Sequence, residues 1–319
     1  MNKTAVNLCG RNGEGARRSP ICCRACGDPL RTSTAANYWA CGKCGSANLV
    51  IPSSAIEDNI RYFDILFDSG VNAVSRSRKL LFLAFERIYN FGCLKQSREF
   101  FHALQETHRL LRRPGVRVLE IGFGGGDELA RLLLAGVDAY GIDISEVAVA
   151  RFRQKYGEFA DRVRCSDHFD ADVDVVYSNA LFEHLDDPTS FLLHARERLG
   201  HGGLLIIRLP VLWRGTTEKD SADINFWIPC HRVLYTTTGL NLLLAGRGFR
   251  VLRLSTLEYF GFRVMNAMLD AGCNSIMDLR NPYLEPAVLK CSSNYLVLLV
   301  RAISRKSLCS DCVVIAQPI

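Results

Sequence analysis

The sequence predicts an α/β protein: a mainly parallel sheet of seven strands with helices on both faces, preceded by a small cysteine-rich module. Three observations predict it. From residue 116 onward, strand-length apolar runs alternate with helical stretches, the pattern of a sheet wound by crossover helices. The first of these runs enters a glycine-rich turn, Gly122-Phe123-Gly124-Gly125-Gly126. Two Cys-x2-Cys pairs lie before residue 45, outside that alternation.

Residues 1–20 are polar, rich in Gly and Arg, and read as a disordered tail. The cysteine module covers 21–50. Residues 51–113 read as a helical linker and lid, with Ile56, Ile60, Phe63 and Phe67 at helical spacing and a second apolar series from Leu80 to Leu111. Pro114 and Gly115 stop it. The α/β domain then runs over 114–305. Strands are expected at 116–121, 137–142, 163–165, 173–177, 204–209, 249–254 and 295–302. Leu129, Leu132 and Leu133 mark the face of a first helix ending at Gly136. A second helix covers 146–156. Asp187 caps a third, with Pro188 at its first position and Gly200 at its close, and a fourth spans 238–246. Residues 306–319 are left as a C-terminal tail.

Composition narrows the function classes. A formal charge of +6 on 319 residues describes a mildly basic surface and does not call for nucleic acid as a partner. No apolar run approaches the roughly 20 residues of a membrane span, and residues 1–20 lack the apolar core of an export signal, so the expected location is the cytoplasm. Thirteen cysteines are many, but five fall between residues 22 and 44, and in a chain with no export signal such clustering favours metal over disulfides.

Cys23-x2-Cys26 and Cys41-x2-Cys44 are separated by 14 residues, and each second cysteine precedes a glycine, Gly27 or Gly45. A tight turn there directs backbone N–H groups at the sulfurs. Four thiolates from two such turns make a closed, structural tetrahedral Zn2+ site, a zinc ribbon. Cys22 is a bystander, and Cys309 and Cys312, without a partner pair, are read as non-ligating.

The glycine turn lets a ligand approach the main chain closely. A nicotinamide-dinucleotide loop of the form G-x-G-x-x-G would need glycine at 127, where Asp127 stands. Asp143, ending the second strand, is placed to accept hydrogen bonds from ribose hydroxyls.

Two later segments carry a resemblance. Residues 174–188, from Asp174-Val175-Val176-Tyr177-Ser178-Asn179 to Glu183-His184-Leu185-Asp186-Asp187-Pro188, resemble the fourth motif of class I S-adenosylmethionine-dependent methyltransferases. Leu199-Gly200-His201-Gly202-Gly203 resembles the loop before their fifth strand, with His201 where that loop commonly has proline. The resemblance runs from about 116 to 300 and implies a Rossmann-like domain using S-adenosyl-L-methionine. It places Gly122, Gly124 and Gly126 beside the methionine part of the cofactor, with Glu120 helping to position it. Asp143 would hold the ribose and Ile144 pack on adenine. Asp167 would bind the adenine amino group, a role His168 or Ser166 could also fill, and Asn179 would face the methionine amine.

A zinc ribbon before such a domain is similar to methyltransferases of polysaccharide and secondary-metabolite pathways. Tyr38-Trp39 before Cys41, Tyr62-Phe63-Asp64 and Trp227-Ile228-Pro229-Cys230-His231 share their general look. Asn179 is not followed by the Pro-Pro-aromatic signature of many amino-group enzymes, which favours oxygen or carbon acceptors. The expected function is thus methyl transfer to a small-molecule or sugar-containing acceptor, with residues 258–291 and the helices before 114 shaping its pocket. Two alternatives stand beside it. One is an RNA methyltransferase whose zinc ribbon, with Arg17, Arg18, Arg24, Arg31 and Lys43, binds phosphates. The other is a non-catalytic adaptor with a methyltransferase fold. His184, at the sheet edge where ligands of open α/β folds bind, and His231, in a loop the resemblance places over the substrate, are the candidate bases. Imidazole titrates near neutrality, which suits proton abstraction.

Overall fold

The computed structural model describes residues 21–30, 32–33, 38–50, 94–213, 231–258, 295–304 and 309–319, with single positions at Ala84, Asn225, Arg263, Val264, Asn266 and Ala267. The tail at 1–20, the series Ile56 to Phe67, Tyr62–Asp64, Trp227–Cys230 and nearly all of the 258–291 insertion lie outside the described residues.

Seven strands form the central sheet: β4 (Arg117–Ile121), β5 (Asp138–Asp143), β6 (Val163–Cys165), β7 (Val173–Asn179), β8 (Leu199–Leu212), β10 (Phe249–Leu257) and β11 (Cys309–Pro318). Their order is β6-β5-β4-β7-β8-β11-β10. The first five are parallel, and β11 runs antiparallel to both β8 and β10. The order reverses between β4 and β7, so the carboxyl ends of these two strands flank a crevice, where open α/β sheets bind ligands.

Buried positions explain the pairing. Val118, Leu119, Val175, Val176, Leu205, Ile206 and Ile207 are all buried, so the central strands read as continuous apolar runs covered on both faces. One core joins Val118, Val175 and Ile206 to α2 (Asp127–Leu134) and α3 (Glu146–Lys155) through Leu129, Leu132, Val149 and Phe152. The other joins Leu119, Val176 and Leu205 to α4 (Pro188–Arg198) and α5 (Thr237–Gly246) through Leu192, Leu240 and Leu244. Caps set the helix starts: Ser145 accepts from the Ala148 N–H, Asp187 from Thr189 and Ser190, and Thr236 from Gly239. Helix α1 (Leu94–Leu111) packs Phe100 and Ala103 against Leu257 and Val313, beside the Arg253–Glu106 ion pair.

The seventh strand is not where the sequence placed it. The stretch read as a strand over 295–302 belongs to helix α6 (Tyr295–Ser304), and β11 lies in residues assigned to a C-terminal tail. A short apolar run does not distinguish a strand from a buried helix. Here Leu299 and Ala302 are buried while Val297 and Val300 are exposed, the spacing of a helix. Ser310, Asp311 and the two cysteines interrupt the apolar pattern of β11, yet Cys309 to Ala316 are all buried because the strand is paired on both sides.

The cysteine module is a short antiparallel sheet, β1 (Thr32–Ser33), β2 (Tyr38–Ala40) and β3 (Ala47–Leu49). It is continuous with the central sheet. Strand β3 pairs antiparallel with β9 (Val233–Thr236), which the sequence had left unassigned, and β9 pairs parallel with the end of β8. Tyr38, Ala47 and Leu49 share a core with Leu212, Leu234 and Cys309. Among the described residues no helix is long and apolar enough to cross a membrane.

Candidate active site

The glycine turn begins where β4 ends. Gly122, Gly124 and Gly126 have φ of 71°, 51° and 70°, a region that side chains with a Cβ rarely adopt. Space matters as well: a Cβ on Gly126 would lie 2.3 Å from Phe152 Cδ2, so this glycine lets α2 start against α3. Asp127, the position that breaks the dinucleotide pattern, is exposed and binds Lys155 Nζ at 2.8 Å and the Tyr156 hydroxyl at 3.0 Å.

Asp143, at the end of β5, is nearly buried, and its carboxylate fastens the turn to the strand. Oδ2 accepts from the Gly124 N–H and Oδ1 from the Ser145 N–H, both at 2.9 Å. Glu120, one residue from the end of β4, is 3% exposed, and its Oε2 has no hydrogen-bond partner. Burial, reinforced by the negative charges of Glu128 and Asp143, pushes its carboxyl up to about 8. A buried carboxyl left without a partner is costly. A cation delivered into the turn would remove that cost.

Ile144, next to Asp143, is 59% exposed, an apolar surface free for a flat ring. Asp167 is exposed, 3.1 Å from His168 Nδ1, on the rim of a cleft walled by Ile121, Ile142 and Phe169. Asn179 is exposed at the end of β7, opposite Arg208 of β8. Ala180 follows with φ 50°, in the left-handed region, and its N–H donates to the Arg208 carbonyl at 2.8 Å. Such strain in a non-glycine residue persists only where its surroundings enforce it. The turn presses Leu181 against Gly122, where a Cβ would lie 2.9 Å from the leucine methyls, and leads into a 3-10 turn at Phe182–His184.

The structure brings both candidate histidines together. The rings of His184 and His231 are 4.8 Å apart between centroids, at 50°. His231 is 4% exposed, and its Nδ1 lies 3.0 Å from the Asn225 carbonyl oxygen. In the tautomer with the proton on Nδ1, that contact is a hydrogen bond and Nε2 carries the lone pair. Burial, then the charge of His184, holds the His231 imidazole well below its ordinary range, so it is neutral at physiological pH. Glu183 completes the cluster: it is 1% exposed, its Oε1 is 3.7 Å from His184 Nε2, and burial pushes its carboxyl up to about 8. The sequence reading passed over Glu183; its only local signal was a position beside His184 in the fourth motif.

The four paired cysteines also converge. Cys23 and Cys44 sulfurs are 3.7 Å apart, Cys26 and Cys41 sulfurs 3.5 Å, and all four lie within 4.8 Å of one another. Gly27 and Gly45 both take φ 75°, and their N–H groups donate to the Cys23 and Cys41 carbonyls at 2.8 Å. Two matching turns that bring four sulfurs within 4.8 Å of one another supply the donor set of a closed Zn2+ site, whose Zn–S bonds are about 2.3 Å. Cys309 and Cys312 are buried in β11 and are not among the converging sulfurs.

Fold and site together define a doubly wound α/β domain with a glycine turn and a crevice at the carboxyl ends of β4, β5 and β7. The comparisons with known proteins go further. A sequence profile of the methyltransferase domain matches residues 95–254, half of the chain. A ubiquinone biosynthesis O-methyltransferase from Paramagnetospirillum magneticum (strain ATCC 700264 / AMB-1) is 34% identical over 135 residues, covering 38% of this chain and 53% of that protein. The chain thus spans about half the length of this curated relative. Among solved structures, the [4+2]-cyclase SpnF is similar at 19% identity and a TM-score of 0.48, covering 68% of this chain and 80% of that one. The mycolic acid cyclopropane synthase CmaA1, complexed with SAH and CTAB, is 17% identical with a TM-score of 0.48, covering 68% and 83%. The chain belongs to the methyltransferase-domain family.

Proposed function

We propose that this enzyme methylates an oxygen or carbon of a small-molecule or sugar-containing acceptor, with His231 or its neighbour His184 as the base. The observation that carries this reading is the buried Glu183–His184–His231 cluster just beyond the carboxyl end of β7, on the same sheet edge as the glycine turn. S-adenosylmethionine supplies a methyl group already activated on a sulfonium, so the protein's task is alignment and removal of a proton. Glu120 would face the cofactor's positive charge, Asp143 would hold the ribose, Ile144 and Asp167 the adenine, and Asn179 the amine. Bound S-adenosylmethionine would give up its methyl group with cleavage of the carbon–sulfur bond as the new carbon–oxygen or carbon–carbon bond forms. The acceptor's proton passes to imidazole. His231 has the geometry for this role: its Nδ1 is 3.0 Å from the Asn225 carbonyl, which leaves Nε2 as acceptor. The name of the curated relative supports oxygen as the acceptor atom.

The four cysteines would hold one structural zinc and close its coordination shell. Nothing in the described part of that module favours RNA as partner. Arg24, one of the cations such a surface would use, is committed internally to the Leu49 carbonyl at 3.1 Å and the Asp186 carbonyl at 3.2 Å.

The test is transfer of radiolabelled methyl from S-adenosylmethionine to a panel of catechols, sugar nucleotides, primary amines and bulk RNA. Turnover on hydroxylated small molecules is expected. Turnover confined to RNA or to amines would refute the reading.

A further inference from the structure

Residues of the cysteine module reach the base cluster through an unbroken set of contacts. The Tyr38 hydroxyl, in β2, donates to the His231 carbonyl at 2.8 Å, with the tyrosine ring 1% exposed. One residue on, the peptide of Arg232 is held from both sides. Its carbonyl accepts from the Leu49 N–H of β3 at 2.9 Å, and its N–H donates to the Glu183 carbonyl at 2.7 Å. The buried Arg232 guanidinium lies 3.3 Å from Asp186 Oδ1, and Arg24, between Cys23 and Cys26, reaches the same oxygen at 3.6 Å. Behind these, the Thr236 hydroxyl donates to the Cys44 carbonyl, and the Thr236 N–H donates to Ser46 Oγ. Gly239, in the first turn of α5, permits this approach: a Cβ there would stand 2.1 Å from Ser46 Oγ and 3.2 Å from Cys44 Sγ.

We propose that the cysteine module is a working part of the acceptor site, positioning the base His231 through Tyr38 and the Glu183–His184 turn through Arg24 and Arg232. The idea rests on the base reading above for its catalytic meaning, but the positioning itself can be read without an acceptor. The hydrogen bonds and ion pairs described above run from the module to His231, Arg232, Asp186 and Thr236, and through Arg232 to Glu183, all on the acceptor side. Loosening it should therefore open the acceptor side more than the cofactor side. Tyr38 is a positioning residue, acting through the backbone of His231. On this account the metal is required for methyl transfer although it lies outside the reacting groups.

The experiment uses the full chain and three readouts: zinc per chain, affinity for S-adenosylhomocysteine by calorimetry, and carbethoxylation of each histidine by diethyl pyrocarbonate, mapped by peptide mass. Exposed His201 is the internal reference. In the metal-loaded protein His231 reacts far more slowly than His201. In Tyr38→Phe, which keeps the ring and removes the hydroxyl, His231 should react about threefold to tenfold faster, the change expected from one lost buried hydrogen bond. Zinc content and S-adenosylhomocysteine affinity should stay unchanged. Gly239→Ala, which replaces no ligand cysteine but drives a Cβ against Ser46 Oγ and Cys44 Sγ, should also expose His231 while S-adenosylhomocysteine affinity is kept, and stripping the metal with a chelator should expose His231 further. Equal protection of His231 in all three cases would overturn the proposal. So would a parallel loss of S-adenosylhomocysteine affinity, which would mark the module as a general stabiliser. Failure of the unmodified protein to bind S-adenosylhomocysteine at all would strike instead at the cofactor assignment.

Discussion

The two ends of the ligand-binding edge are built in opposite ways. On the proposed assignment, the cofactor end draws Glu120, the glycine turn, Asp143 and Ile144 from 25 consecutive residues (120–144), and its main contact, Gly124 to Asp143, joins residues 19 apart. The acceptor end is assembled across the chain: Tyr38 to His231 spans 193 positions and Cys44 to Thr236 spans 192. A site closed by local turns is set by a strand, a turn and a cap, whereas a site closed by distant segments depends on whatever holds those segments together. Here that is the β3–β9 pairing and, on our proposal, the bound metal.

This contrast can be broken by perturbing one end at a time. The largest effect is expected from His231→Gln. Loss of a general base costs roughly 10²–10⁴-fold in turnover, measured on whichever acceptor of the panel is methylated, while cofactor affinity stays as it was. Near-normal turnover would remove His231 from the mechanism. Next, Cys41→Ser should reduce zinc from one per chain to none by elemental analysis, since a closed thiolate site rarely survives loss of a ligand. A metal-free protein still fully folded through residue 50 would contradict the metal assignment.

Asp143→Ala acts at the other end. Each hydrogen bond to a charged group is worth roughly 1.5–3 kcal/mol, so removing the carboxylate should weaken S-adenosylmethionine binding about tenfold to a hundredfold by calorimetry. Unchanged affinity would refute the role given to Asp143.

The smallest effect is a pH dependence. Burial, with the charges of Glu128 and Asp143, pushes the Glu120 carboxyl up to about 8, which keeps it largely protonated at neutral pH. A bound sulfonium and ammonium favour the carboxylate, and binding below that pH must therefore release a proton. Affinity for S-adenosylmethionine should fall as pH drops below about 8, by at most about tenfold per pH unit, and level off above it. Glu120→Gln should flatten the profile. In stability the sign reverses. A carboxyl with a raised folded pKa favours the folded state most below its ordinary value and loses that contribution as pH rises toward about 8. The depressed His231 imidazole acts the other way: its contribution is present above about 6.5 and declines as pH falls below that value.

The same contrast decides what the sequence made legible. The β4–glycine turn–α2 unit, the carboxylate ending β5 and the Asp187 cap are local patterns, and the structure has strands, turn and cap at those positions. The matching cysteine turns were readable because two left-handed glycines recur at equal spacing. Strand β11 was misplaced because its Ser310 and Asp311 look like surface residues, and only two-sided pairing buries them. Arg232 carried no signal in one dimension, and Tyr38 and Arg24 were legible only as part of a family likeness and as a cation for phosphate; their partners are backbone carbonyls and a carboxylate that the fold brings to them. Glu183 was hidden differently, since a glutamate in a turn reads as exposed until His184, His231 and β8 close over it.

The central claim, a methyl-donor site in which Asp127 excludes the dinucleotide loop, is tested most directly by calorimetric titration of the purified chain with S-adenosylmethionine and, separately, with NAD. The account predicts saturable binding of one S-adenosylmethionine per chain and no saturable heat with NAD. Saturable NAD binding, or no binding of S-adenosylmethionine, would contradict it.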